Sequence, residues 1–267
     1  MPTVEWNLQA WNVSYDWAKD GHEWSSAWGG SDAQWFGAIL PRIHAFLPSD
    51  TILEIAPGFG RWTNHLKNHA GHLIVVDLAE RCISACQERF ASASNITYHV
   101  NDGRSLAMVP DNSLDFVFSF DSLVHAEADV IQAYLTQLAD KLKPGGAGFV
   151  HHSNLGSYQR AFAFGEKIPA KARHLLLERG LIDQAHCRAS SMTAALFEQY
   201  CDQAGLQCVG QELVNWGTTR LIDCFSLFTR KTASWARPNR IVENPHFMSQ
   251  AAAIRRLSHL YAHSRTD

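Results

Sequence analysis

Five short apolar runs, at 51–55, 72–77, 96–100, 114–120 and 147–151, alternate with stretches of helical spacing. No other feature constrains the fold as much. Strands that alternate with helices build βαβ units and therefore a parallel sheet. The runs show little polar alternation, so both faces of that sheet should be covered. Two later runs, about 206–213 and 224–228, supply two more strands.

The intervening helices are expected near 62–66, 80–90, 130–142 and 193–204. Lys143-Pro144-Gly145-Gly146 stops the third of these and Gly205 the fourth. The result is an α/β fold: a Rossmann-like, seven-stranded, mostly parallel sheet with helices on both faces. Its domain spans 49–232, with a substrate-side insert at 155–190 that is too long for an ordinary connection. The tail, 233–267, carries Arg237-Pro238-Asn239-Arg240 and a final helix near 248–261. It is a candidate lid or homodimer contact.

The first 48 residues stand apart from this rhythm. Of nine tryptophans, Trp6, Trp11, Trp17, Trp24, Trp28 and Trp35 fall in the first 35 residues, with polar residues and no clear period between them. This reads as an aromatic cap, with Trp24 and Trp28 the candidate lid residues and Trp6, Trp11 and Trp35 a satellite cluster. A helix capped by Asp32 should run to about Phe46, bent or interrupted at Pro41.

Composition narrows the partners. The net charge of −3 lacks the basic field of a nucleic-acid binder. No apolar run approaches the ~18 residues of a membrane span. The first residues show neither a basic n-region nor an apolar h-region, so a cytoplasmic location is expected. The six cysteines form no CxxC pair, which argues against a disulfide scaffold or a cysteine zinc site.

Glu54-Ile55-Ala56-Pro57-Gly58-Phe59-Gly60 joins the first strand to a helix, where ligands bind in such folds. Asp77 closes the next strand, placed to accept from both hydroxyls of a ribose. Thr63 stands where GxGxxG needs its third glycine, and no GK[ST] follows. A ligand with ribose but without pyrophosphate fits better.

These residues resemble the class I S-adenosylmethionine-dependent methyltransferases, whose first motif is acidic-x-Gly-x-Gly-x-Gly. Ala56 replaces the first glycine. The resemblance continues through Asn101-Asp102-Gly103, Leu114-Asp115-Phe116-Val117 and Leu142-Lys143-Pro144-Gly145-Gly146, covering about 50–152 clearly and 193–230 loosely. It implies that Gly58 and Gly60 lie against the methionine part of S-adenosylmethionine, Asp77 holds its ribose and Asp102 its adenine amine. Glu54, Leu78, Gly103, Asp121 and Trp28 complete the cofactor set, and Arg61 is a candidate near the carboxylate.

The tips of the fourth and fifth strands, Phe120-Asp121-Ser122-Leu123-Val124-His125 and Val150-His151-His152-Ser153-Asn154, crowd three histidines and an aspartate together. Histidine can take a hydroxyl proton near neutrality, so His152, His151, Asp121 and His125 are the candidate catalytic residues. Alternation allows only one of His151 and His152 to face a pocket while the strand persists. A divalent metal such as magnesium on Asp121, His125, His151 and His152 is a second reading.

No Asn-Pro-Pro-aromatic tetrad follows the fourth strand, and no double-glutamate hairpin is present, so the acceptor is small or medium. Trp24, Asn154, Tyr158 and Arg188 would suit a polyhydroxylated one. The chain looks most like bacterial sugar O-methyltransferases of polysaccharide or glycoside biosynthesis. A C-methyltransferase of a quinone or polyketide-like ring and a non-catalytic or NAD-binding protein are the alternatives.

Overall fold

A computed structural model of the chain describes residues 2–166, 168–179 and 182–261. One sheet runs through it. Its strands are β1 (Ser49–Ile55), β2 (Ala70–Asp77), β3 (Ile96–Val100), β4 (Leu114–Ser119) and β5 (Leu142–Ser153), then β6 (Leu206–Val214), β7 (Asp223–Arg230) and β8 (Ile241–Asn244). Their order is β3-β2-β1-β4-β5-β7-β6-β8. β1 to β5 pair in parallel, β7 runs antiparallel to β5 and β6, and β8 adds in parallel to β6.

The expected seven strands become eight. β8 has four residues, three of them exposed, so it lacks the apolar run that betrays a strand in sequence. β5 also starts earlier than 147, because Lys143-Pro144-Gly145-Gly146 leaves the helix directly into the strand.

The two faces of the sheet bury different things. Val117 and Val150 point into a core closed by the helices Ala128–Lys141 and Ala194–Gln203. Phe116, Phe118 and Phe149 point the other way, toward Trp28, Trp35, Trp62 and the helix Phe247–Tyr261. Period-two alternation along β4 and β5 makes this division. Each such aromatic, fully buried, contributes on the order of 2 kcal/mol.

The cap begins with a short helix, Val4–Leu8, whose Thr3 hydroxyl accepts from the Trp6 N–H at 3.2 Å. Further on, the single helix expected from Asp32 is broken into Ser31–Gln34, a π-helical stretch Trp35–Ile39, and Leu40–Ile43. Gly30, not Asp32, is its N-cap. Pro41 falls at the start of the last piece, directly after the π-helical stretch, and its missing N–H cannot continue that ladder. The tail packs on this same body: Phe247 lies 5.8 Å from Trp28 and 5.6 Å from Trp216, ring centre to ring centre. The 155–190 insert forms helices Gln159–Glu166 and Ala170–Glu178, then returns to the carboxyl edge of the sheet, where the Ala189 N–H donates to the Val124 carbonyl at 2.9 Å.

Candidate active site

The strand order reverses at β1, whose neighbours are β2 and β4, so a crevice opens beyond its carboxyl end. The turn there is left-handed at three points: φ is +59° at Ala56, +58° at Gly58 and +81° at Gly60. A side chain in that region costs on the order of 1 kcal/mol, the strain Ala56 carries by replacing the motif's glycine. At Gly58 a Cβ would sit 2.9 Å from the Trp17 ring, so only glycine lets the cap close on the turn. The Gly58 N–H donates to Asp77 Oδ2 at 3.3 Å and the Ala79 N–H to Oδ1 at 2.8 Å. Burial nevertheless pushes the Asp77 carboxyl up to about 6.

Glu54 lies beneath the turn, fully buried. Thr63, the residue that breaks the dinucleotide fingerprint, donates its hydroxyl to Glu54 Oε2 at 2.6 Å, while Oε1 has no partner. Burial pushes this carboxyl up to about 8. The folded chain therefore holds a proton there that the unfolded chain, with an ordinary value of 4.5, releases. Stability is lost from this group as pH rises between about 4.5 and about 8. Glu54→Gln keeps the acceptor for Thr63 and removes the titration. Its melting temperature relative to the parent should climb from pH 5 to pH 8 and then level off; parallel curves across that range would refute the buried proton.

The strand ends and the cap enclose a cavity of about 890 Å³, its solvent-open mouth included. Gly58, Asp77, Leu78, Gly103, Asp121 and His125 line it from the sheet side. Asn7, Trp11, Trp17, Trp24 and Arg61 close it from the other. Trp17 stacks on Phe59 at 4.3 Å with 3° between planes. Trp11 sits 5.9 Å from Trp24 and 5.3 Å from the His125 ring.

Several expected site residues lie elsewhere. Trp28 is 1% exposed and wedged between Trp216 and Phe247, so the cap tryptophans that line the cavity are Trp11, Trp17 and Trp24, and Trp28 is not among them. Glu54 and Gly60 lie behind the turn rather than on the cavity wall. The Asp102 carboxylate is turned into its own loop, accepting from the N–H groups of Arg104 at 2.9 Å and Ser105 at 2.6 Å. Asn154 spends its amide on the Leu221 carbonyl and the Ala194 N–H. Tyr158 is half-buried in the turn Leu155–Tyr158, away from the cavity.

The two adjacent histidines obey alternation, because β5 persists through Ser153. His152 faces the Phe197 ring, parallel at 4.4 Å, with Nε2 2.8 Å from the Ser226 hydroxyl and Nδ1 2.9 Å from the Ser153 carbonyl. Burial lowers it to about 4. It is a neutral core side chain. His151 lies on the cavity's side but behind Asp121, whose N–H donates to His151 Nδ1 at 3.1 Å. Its Nε2 stands 3.1 Å from Asp223 Oδ2, off the hydrogen-bond direction.

Asp223 gathers this rear wall. Arg188 grips it with two bonds, Nε to Oδ1 at 3.0 Å and an η-nitrogen to Oδ2 at 2.8 Å. Although burial opposes ionisation, the Arg188 guanidinium and His151 hold the Asp223 carboxyl well below the usual range. Arg188 is thus a partner of the wall rather than of an acceptor. In front, Arg61 donates to Asp121 Oδ2 at 2.8 Å and to the Ser25 hydroxyl at 3.0 Å, with its guanidinium 5.3 Å over Trp24. Asp121 itself has φ +63°, a strained conformation imposed at the cavity's edge.

Among the described residues no group of three or more His, Cys, Asp or Glu is placed to hold a metal ion. The reason is visible: His152 points to the far face, and guanidiniums flank both Asp121 and Asp223.

His125 remains. Its Nδ1 lies 2.8 Å from the Cys187 carbonyl, which can only accept, so Nδ1 carries the proton and Nε2 the lone pair. Asn7 donates to the His125 carbonyl at 2.9 Å. Burial, helped by Arg188, lowers His125 to about 4, so it is neutral at physiological pH.

Residues 52–146 match the family described as "Methyltransferase domain". Phosphoethanolamine N-methyltransferase 1 of Triticum aestivum is 34% identical over 118 residues, which are 42% of this chain and 24% of that protein. Phosphoethanolamine N-methyltransferase 2 of Caenorhabditis elegans is 25% identical over 151 residues, 55% of this chain and 34% of that protein. The chain thus spans only a quarter to a third of these curated relatives. The N-methyltransferase NodS of Bradyrhizobium japonicum, solved with S-adenosylhomocysteine, superposes with a TM-score of 0.54 at 14% identity, covering 84% of this chain and 98% of that one. The match thus places a methyltransferase-domain signature on residues 52–146, and the sheet order and turn are those of the fold that the NodS superposition shares. Within the described residues no helix is long and apolar enough to cross a membrane.

Proposed function

We propose that the chain methylates a hydroxyl of a small or medium polar acceptor, a sugar or oligosaccharide, with His125 as the base. The observation that carries this is the His125 ring on the cavity wall, its Nδ1–H committed to the Cys187 carbonyl and Nε2 left to accept a proton.

The residues present fit the cofactor. Gly58 would bring backbone close to the methionine end, and Asp77 would offer its carboxylate to the ribose hydroxyls. Leu78 and Gly103, which line the same cavity, would hold the adenine, with Asp102 shaping that loop. S-adenosylmethionine supplies an electrophilic methyl group on sulfur. The chain's task is to align the acceptor, exclude water with the three cap tryptophans, and take the acceptor's proton at His125 Nε2.

Indole faces receive the C–H surface of a sugar ring, and Asp20, Asp121 and His125 meet hydroxyls. A phosphorylated acceptor is served less well. The cationic side chain among the lining residues is Arg61, already paired with Asp121. An amine acceptor is the second reading, supported by the relatives' names and by Trp24, whose face already carries a cation.

Calorimetry should show binding of S-adenosylhomocysteine and none of NAD; the reverse result would sink the cofactor assignment. Labelled-methyl transfer, run with chelator against neutral sugars, amino alcohols and phosphoethanolamine, should label the sugars. Label confined to amines would overturn the hydroxyl reading.

A further inference from the structure

We propose that the insert loop 183–188 is a positioning element for His125, fixing its tautomer through the Cys187 carbonyl, so that the insert rather than the sheet decides whether the base is competent. This rests on the reading of His125 as the base.

The loop is tied down on both sides of Cys187. Before it, Asp183 accepts from the Thr219 N–H at 2.8 Å, from the Thr219 hydroxyl at 2.8 Å and from Arg220. After it, Arg188 makes its two bonds to buried Asp223, and the Ala189 N–H donates to the Val124 carbonyl, one residue from His125. Between these anchors, His186 and Cys187 are both left-handed, at φ +48° and +57°. Two consecutive non-glycine residues in that region are held there by their surroundings. The consequence is a carbonyl aimed at His125 Nδ1 from 2.8 Å.

A neutral imidazole carries one proton, and a fixed carbonyl beside one nitrogen selects where it resides. Without that carbonyl the proton would divide between the two nitrogens, and molecules protonated at Nε2 would present a donor where a lone pair is needed. The other groups around the ring do not make this selection. Trp11 packs on it at 5.3 Å, Asn7 holds the backbone carbonyl, and Arg188, Asp121 and Asp223 act through their charges.

The test reads the tautomer itself. In protein saturated with S-adenosylhomocysteine, nitrogen-15 shifts of the His125 ring should show a single Nδ1–H form. Asp183→Ala, which releases the loop, should give a tautomer mixture and a fall of about tenfold or more in kcat. Asp183→Asn, which keeps an acceptor for the Thr219 N–H, should recover most of the Nδ1–H form. Cys187→Val, a β-branched residue poorly suited to a left-handed φ, should reproduce the mixture with Asp183 intact. S-adenosylhomocysteine affinity and melting temperature identify any variant that has lost its fold. An unchanged Nδ1–H signal in folded Asp183→Ala and Cys187→Val, or an Nε2–H form in the parent, overturns the proposal. If the tautomer shifts but His125 variants keep full activity, the positioning stands and the base assignment falls.

Discussion

His125→Ala should lower kcat toward a hydroxyl acceptor by about 10²–10⁴-fold while leaving S-adenosylhomocysteine affinity within a few-fold of the parent. A hydroxyl is a poor nucleophile until its proton begins to leave, and Nε2 of His125 is the neutral basic atom that the cavity wall offers it. The pH profile sharpens the expectation. Burial holds His125 near 4 rather than at its ordinary 6.5, so the lone pair stays available through mild acid. Activity should hold down to about pH 5 and fall only toward pH 4. Asp77, at about 6, superimposes a rise in the KM for S-adenosylmethionine as its carboxylate is neutralised below that pH. A saturating cofactor concentration separates the two limbs. An amine acceptor reverses the ranking, because a neutral amine attacks without prior proton loss; the alanine variant would then lose little. A hydroxyl acceptor turned over at the parental rate by His125→Ala would remove the base.

The parts of this site legible in sequence are those whose residues speak locally. The glycine turn could be read because left-handed backbone and close approach demand particular residues there, and Asp77 because it ends an apolar run. Thr63 was visible as a departure from a fingerprint, but its meaning, a hydroxyl on Glu54, needed the fold. Alternation correctly separated His151 from His152. Which face held the pocket was settled by Phe197 and Asp223, from the far side of the insert. The cap was opaque for the same reason. Trp28 and Trp24 sit one turn apart in sequence, yet Phe247 from the tail claims the first and the cavity the second. β8 stayed hidden because an edge strand with exposed side chains has no apolar signature. Asp223 did leave a trace: a lone carboxylate opening an apolar strand, Asp223-Cys224-Phe225, requires a buried partner.

That partner's removal should have the largest effect on stability. Arg188→Met is expected to destabilise the fold by about 3–5 kcal/mol, a drop in melting temperature on the order of 10 °C for a chain of this size. Met fills much of the stem's volume, so the loss comes from charge. Asp223 is fully buried, and without the guanidinium its two oxygens face only His151 and the low-dielectric interior. The pH dependence carries the signature. In the parent, the depressed Asp223 carboxyl contributes stability that is present above its ordinary value of 3.8 and lost only in strong acid. In the variant, burial prevails and the carboxyl titrates above that value, so the deficit should narrow as pH falls from 8 toward 5. Asp223→Asn added to Arg188→Met should restore most of the loss, since the stranded charge is then gone. Calorimetric melting of the three proteins at pH 7.5 and 5.5 decides it. A deficit that is equal at both pH values and unrelieved in the double variant would assign the effect to packing, and the ion pair would lose its place as the anchor of the cavity's rear wall.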